Sequence, residues 1–219
     1  AAGEPAWLTE IVAGIREDGE NPEDTARREV AEETGLIIPI GLWVLEQACS
    51  TMRHWHNRFP SDPSLNIAVN LSVRQFHQPD LVDRIQEILK ESALPPDALQ
   101  IEITESILID DTEAVLETLA RLKALGIKLE IDDFGTGYSS LKQLAEMPVD
   151  GLKIDRSFIM KLGKGLGDEM VRTIIGLSES LGIGVIAEGV ETVEQLNILN
   201  SMGCHMVQGF YFSAALAGP

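Results

Sequence analysis

Strands alternating with helices predict a parallel α/β sheet, either open or closed into a barrel. Three observations carry that expectation. From about residue 65, apolar β-rich runs of five to eight residues recur: "LNIAVNLS", "ALQIEIT", "GIKLEID", "DGLKID", "GIGVIAEG" and "HMVQG". Between them lie stretches with helical periodicity, several closed by a glycine. Finally, 219 residues with 44% hydrophobic content suffice for one large domain with a real core.

Each element has a local reason. "DLVDRIQEILKES" puts Leu81, Ile85, Ile88 and Leu89 on one face, and "TEAVLETLARLKALG" does the same with Val115, Leu116, Leu119 and Leu122. Gly126 serves as the C-cap of the latter, and "TIIGLSESLG" and "TVEQLNILNSMG" end the same way. Strands separated by helices of this length imply parallel pairing. "RHWH" reads as a solvated helix end, and Trp43 and Leu45 as core residues.

Composition excludes several functions. The net charge of -18 argues against binding a nucleic-acid polymer, which needs a basic footprint. No apolar run reaches about 18 residues, so no membrane span is expected. The N-terminus lacks the basic and apolar regions of a secretory signal. Cys49 and Cys204 stand far apart without partners at metal spacing. They read as reduced thiols, and the expected location is the cytoplasm.

The strand ends carry the chemistry. In chain order they hold Asn70, Glu102, Asp132 with Asp133, Lys153, Glu188 and Gln208, at or just past the C-terminal end of each run. In a barrel, catalytic groups collect at that rim. One such residue alone would read as a turn former or a helix cap, but six consecutive strands ending alike exceed what capping explains. Carboxylates and an amide oxygen are hard donors suited to Mg²⁺ or Mn²⁺, not the His and Cys set that zinc prefers. Gathering them without a cation would be electrostatically costly.

The motifs "VNLSVRQF", "IEITES", "EIDDFGTGYSSL", "LKIDRSFI", "VIAEGVET" and "MVQGFYFS", in this order, resemble the EAL-domain phosphodiesterases of cyclic di-GMP from about residue 31 to 213. The resemblance implies a TIM-like (β/α) barrel of EAL type that hydrolyses cyclic di-GMP to linear pGpG. It implies a two-metal site of Mg²⁺ or Mn²⁺ held by Asn70, Glu102, Asp132, Asp133 and Glu188. Lys153 would orient or polarise the attacking water, Glu105 would steady the loop "DDFGTGYSS", and Gln208 would lie beside the attacked phosphate. Arg74, Asp155 and Gln208 are the substrate-binding candidates, with Asp155 alternatively an N-cap for "RSFIMKL".

The sequence departs from the family at its start, where no Glu-Ala-Leu tripeptide occurs. In its place Gly14, Glu20, Arg28-Glu29-Val30, Glu32-Glu33 and Gly35-Leu36 follow the spacing of the Nudix box, and "LTEIVAG" resembles the ADP-ribose-hydrolysing branch of that family. In that family, carboxylates resembling Glu29, Glu32 and Glu33 would bind Mg²⁺. A Nudix enzyme needs a complete domain around its box, which the residues after Gly41 do not supply. Residues 1–36 are therefore expected to be a Nudix-like strand-helix segment replacing the start of the barrel. Residues 37–219 form the EAL-type body, the whole being one structural domain. Glu10 stands near the position of the missing glutamate; a one-residue slip would turn it to the opposite face. Six strands plus this one make seven, against about eight for such a barrel. The expectation is an incomplete or rearranged barrel whose exposed edges favour a homodimer or strand-swapped oligomer. An alternative is an EAL-type module that binds cyclic di-GMP without cutting it, or a recombined chimera without activity.

Overall fold

The computed structural model describes residues 35–61, 64–109, 112–137 and 141–216. Glu10 and almost all of the Nudix-like segment lie outside the described residues. Six strands hydrogen-bond in chain order: β1 (Ile67–Leu71), β2 (Leu99–Thr104), β3 (Lys128–Phe134), β4 (Gly151–Ile154), β5 (Gly184–Ala187) and β6 (Met206–Val207). Five fall within the apolar runs, and β3 runs two residues past its own, to Phe134. β3, β4, β5 and β6 pair in parallel.

The chain divides into two compact units, residues 1–102 with 121–128, and residues 103–120 with 129–219. In the first, helix α1 (Ile37–Arg58) buries Leu45, Ala48, Cys49 and Met52, spaced three, four and seven residues from the first. That spacing makes one stripe on a helix, and it packs against β1 and helix α3 (Leu81–Ser92). Helix α3 in turn buries Leu81, Val82, Ile85, Ile88 and Leu89. It stops at Ala93, whose φ of 53° is left-handed. Short helix α2 (Val73–Phe76) begins with a capping box between Ser72 and Gln75. Gly41 makes room for that box, since a Cβ there would sit 1.6 Å from Gln75 Nε2.

In the second unit, strand parity sorts the side chains. Leu129, Ile131, Leu152 and Ile154 have no exposed surface. Their neighbours Glu130, Asp132, Gly151 and Lys153 alternate with them along the strands and so belong to the opposite face. Helix α7 (Leu166–Leu181) packs on β4 and β5 and buries Val171, Ile174 and Ile175. Each large aliphatic side chain so buried is worth about 1.5–3 kcal/mol relative to exposure. Gly182 ends α7 with φ 70°, and Gly126 follows α4 (Thr112–Ala124) with φ 92°. Helices α5 (Leu141–Glu146), α6 (Arg156–Ile159) and α8 (Val193–Ser201) complete the described α-helices. Among the described residues no helix is long and apolar enough to cross a membrane.

Candidate metal centre

Strand β3 brings two consecutive carboxylates together by breaking its own alternation. Its register with β4 runs Ile131 to Leu152 and then Phe134 to Ile154, so β3 spends one more residue than its partner. Such a bulge re-aims side chains that a regular strand would send to opposite faces. Asp133 takes up the distortion with a φ of 53°, unusual for a residue with a Cβ, and its N–H donates to Asp132 Oδ1 at 3.1 Å. Strained backbone of this kind persists where surrounding structure holds it.

Glu188 arrives from the next strand but one. It follows Ala187, the last residue of β5, and its N–H donates to Ile154 O at 3.2 Å, extending the ladder with β4. Asp132, Asp133 and Glu188 then each offer a carboxylate oxygen within 4.8 Å of the others. Lys153, in the β4 row between them, is 5% exposed. Its Nζ lies 3.0 Å from Asp132 Oδ1 and 2.6 Å from Glu188 Oε1. One ammonium against three carboxylates leaves an excess of two negative charges, which favours divalent cations. The donors are all hard oxygens, so the residues present fit such an ion.

A second carboxylate arrangement lies beside the first. Glu105, 5% exposed, follows β2 directly. Its Oε2 accepts the N–H groups of Gly135 and Gly137, both at 3.0 Å. Gly137 permits this close approach, because a Cβ there would meet Glu105 Cδ at 2.9 Å. The loop after Asp133 is thus tied by its backbone to a buried carboxylate.

The other expected site residues are placed as follows. Asp155 caps α6, its Oδ1 accepting the Ser157 N–H at 3.0 Å. Gln208 follows β6 with an exposed side chain; its N–H donates to Ala187 O and its carbonyl accepts the Val190 N–H. Asn70 on β1 and Arg74 on α2 are exposed, while Glu102 on β2 is 7% exposed. These three belong to the first unit. Sequence reasoning missed Arg156 and Glu191, whose Nη2 and Oε1 pair at 2.6 Å. Thirty-five residues separate them; each lies inside a quoted motif, "LKIDRSFI" and "VIAEGVET", but nothing in the sequence pairs the two.

Parallel strands with carboxylates and a lysine gathered at their C-terminal ends define a candidate metal centre on a parallel α/β fold. The chain belongs to the EAL domain family, whose model matches residues 13–215. The match begins inside the Nudix-like letters and upstream of Ala31. Its fold is the EAL-type, TIM-like α/β fold. Over 182 residues it is 46% identical to the bifunctional diguanylate cyclase/cyclic di-GMP phosphodiesterase MucR of Pseudomonas aeruginosa, covering 83% of this chain and 26% of that protein. Over 185 residues it is 44% identical to the signaling protein YkoW of Bacillus subtilis, covering 84% and 23%. The chain therefore spans about a quarter of the length of these curated relatives. A solved structure of PaMucR phosphodiesterase in complex with c-di-GMP matches with a TM-score of 0.84 and 40% identity, over 93% of this chain and 82% of that one.

Proposed function

We propose that this chain is a metal-dependent phosphodiesterase domain that hydrolyses cyclic di-GMP to linear pGpG. The observation that carries the reading is the cluster of Asp132, Asp133 and Glu188 around the Lys153 ammonium. Kinship with MucR and with the Pseudomonas aeruginosa cyclic di-GMP phosphodiesterase NbdA, 40% identical over 188 residues, supports the substrate.

In this reading Asp132, Asp133 and Glu188 hold the metal, with Asn70 and Glu102 as further ligands and Glu10 as a candidate sixth. When bound, a pair of Mg²⁺ or Mn²⁺ ions supplies Lewis-acid charge to the phosphodiester and acidifies the attacking water. That water would add to phosphorus and give up a proton as the bond to one 3′-oxygen breaks; the freed 3′-oxygen takes up a proton, and the linear dinucleotide keeps a 5′-phosphate. Lys153 pairs with Asp132 and Glu188 beside the metal and orients the water. Glu105 steadies the loop through Gly135 and Gly137. Gln208, Arg74 and Asp155 contact the dinucleotide.

The domain works in the cytoplasm as a homodimer or strand-swapped oligomer. Among the described residues β1 and β6 end the strand order, and Met206 on β6 is half exposed, which suits edge pairing between chains. Incubating protein with Mn²⁺ and cyclic di-GMP and separating the products tests the activity. Appearance of pGpG is expected. If none forms, calorimetry with cyclic di-GMP and Ca²⁺ distinguishes a binding module from a fold without either property.

A further inference from the structure

Strands β4 and β5 are joined twice beyond their backbone ladder. The inner joint is Lys153 to Glu188 at 2.6 Å. Three residues further along each chain, Arg156 meets Glu191 at the same distance. Between the two joints lies Gly189, with φ 70°, where the chain leaves the sheet. The stem of Arg156 crosses this glycine so closely that a Cβ there would be 2.2 Å from Arg156 Cγ and 2.8 Å from both its Cβ and Cδ. Arg156 thus lies across the residue next to Glu188, while its guanidinium is fastened to the residue three beyond it.

The surroundings make this strap stiff. Asp155 fixes the start of α6 by capping Ser157. The Glu191 N–H donates to Gln195 Oε1 at 2.8 Å, and Gln195 Nε2 donates to Ile159 O at 3.2 Å, tying the loop to α6 a second time. Both members of the outer pair are about a third exposed, so their attraction is partly screened. Their value is geometric. A planar guanidinium on a packed stem has fewer ways to pair than a flexible ammonium.

We propose that Arg156 and Glu191 are positioning residues that set the Glu188 carboxylate through Gly189, without touching substrate themselves. The inference rests on the metal-site reading above and adds to it. Partners one step removed from a metal ligand hold it in its binding orientation, and losing one typically weakens metal binding 10–100-fold.

The test uses the full chain, with Mn²⁺ affinity measured by calorimetry and the metal-free fold by thermal melting. Wild type is titrated first, and failure to bind Mn²⁺ overturns the metal-site reading and this inference together. With binding established, Arg156→Ala and Glu191→Gln should each weaken Mn²⁺ affinity about tenfold. The double variant should lose no more than either single one, because the pair acts as a unit. Arg156→Lys should recover part of the loss. Melting of the metal-free variants should stay cooperative; if Arg156→Ala does not fold, Glu191→Gln, which keeps the side-chain volume, decides. A folded variant binding Mn²⁺ as tightly as wild type, or single losses that simply multiply in the double variant, would overturn the strap while leaving the metal site standing.

Discussion

Lys153 Nζ sits 2.6 Å from Glu188 Oε1 in a place that leaves the lysine 5% exposed. The same ammonium reaches Asp132 Oδ1 at 3.0 Å. The lysine is therefore the resident cation of the carboxylate cluster, and any divalent ion bound there shares the cluster with it.

That sharing gives Lys153→Met a two-sided outcome. Without metal, the variant leaves carboxylates uncompensated and loses roughly 3 kcal/mol of stability. With the competing charge gone, Mn²⁺ should bind severalfold more tightly, and hydrolysis should be lost. Calorimetry and melting with and without Mn²⁺ check this; unchanged or weaker Mn²⁺ binding would show that Lys153 supports the ion instead of competing with it.

Glu105→Ala removes the acceptor of two loop N–H groups. A buried donor left unpaired costs about 1–3 kcal/mol, so the loop at Gly135 and Gly137 should loosen. Hydrogen exchange at those two amides should speed up and turnover should fall. Gly137→Ala, which forces a Cβ against Glu105, should do the same; exchange as slow as in wild type would contradict the tie.

Gly41→Ala drives a methyl into Gln75 Nε2. Overpacking of this kind costs about 1–3 kcal/mol. Gln75 Oε1 also accepts from Ser72 N at 3.1 Å and Ser72 Oγ at 2.9 Å, two residues after Asn70. The damage should therefore reach the end of β1. Adding Gln75→Ala should lower the melting temperature by less than the two single losses combined, and full additivity would refute the contact.

Burial pushes the Cys49 thiol up to about 11 and raises that of Cys204 in the same direction, despite backbone hydrogen bonds that oppose the rise. Both should resist a disulfide reagent at pH 8 until the chain unfolds. The unfolded thiols ionise near 9 while the folded Cys49 stays neutral to about 11. The stability linked to this difference is full below pH 9 and declines as pH rises toward 11. Rapid labelling of folded protein would contradict the burial.

All six described strands were legible as apolar runs, and Gly126 and Gly182 marked helix ends correctly. The site was legible only as a row of strand-end residues. Alternation by twos would have placed Asp132 and Asp133 on opposite faces, because a bulge exists only in the register of β3 against β4. The left-handed backbone of Asp133 has no sequence mark, since aspartate is not glycine. Arg156 and Glu191 were illegible for a different reason. A pair 35 residues apart is made by parallel strand order, and neither residue is unusual where it stands.

The Nudix-like letters carry their own expectation. ADP-ribose should not be hydrolysed with any divalent ion, and chromatographic detection of ribose 5-phosphate would contradict the assignment of those residues to an EAL domain.

The most direct measurement is anomalous diffraction from a crystal soaked in Mn²⁺. Manganese bound by Asp132, Asp133 and Glu188 is the predicted result. Manganese bound elsewhere, with Lys153 alone still bridging Asp132 and Glu188, would contradict the proposed centre.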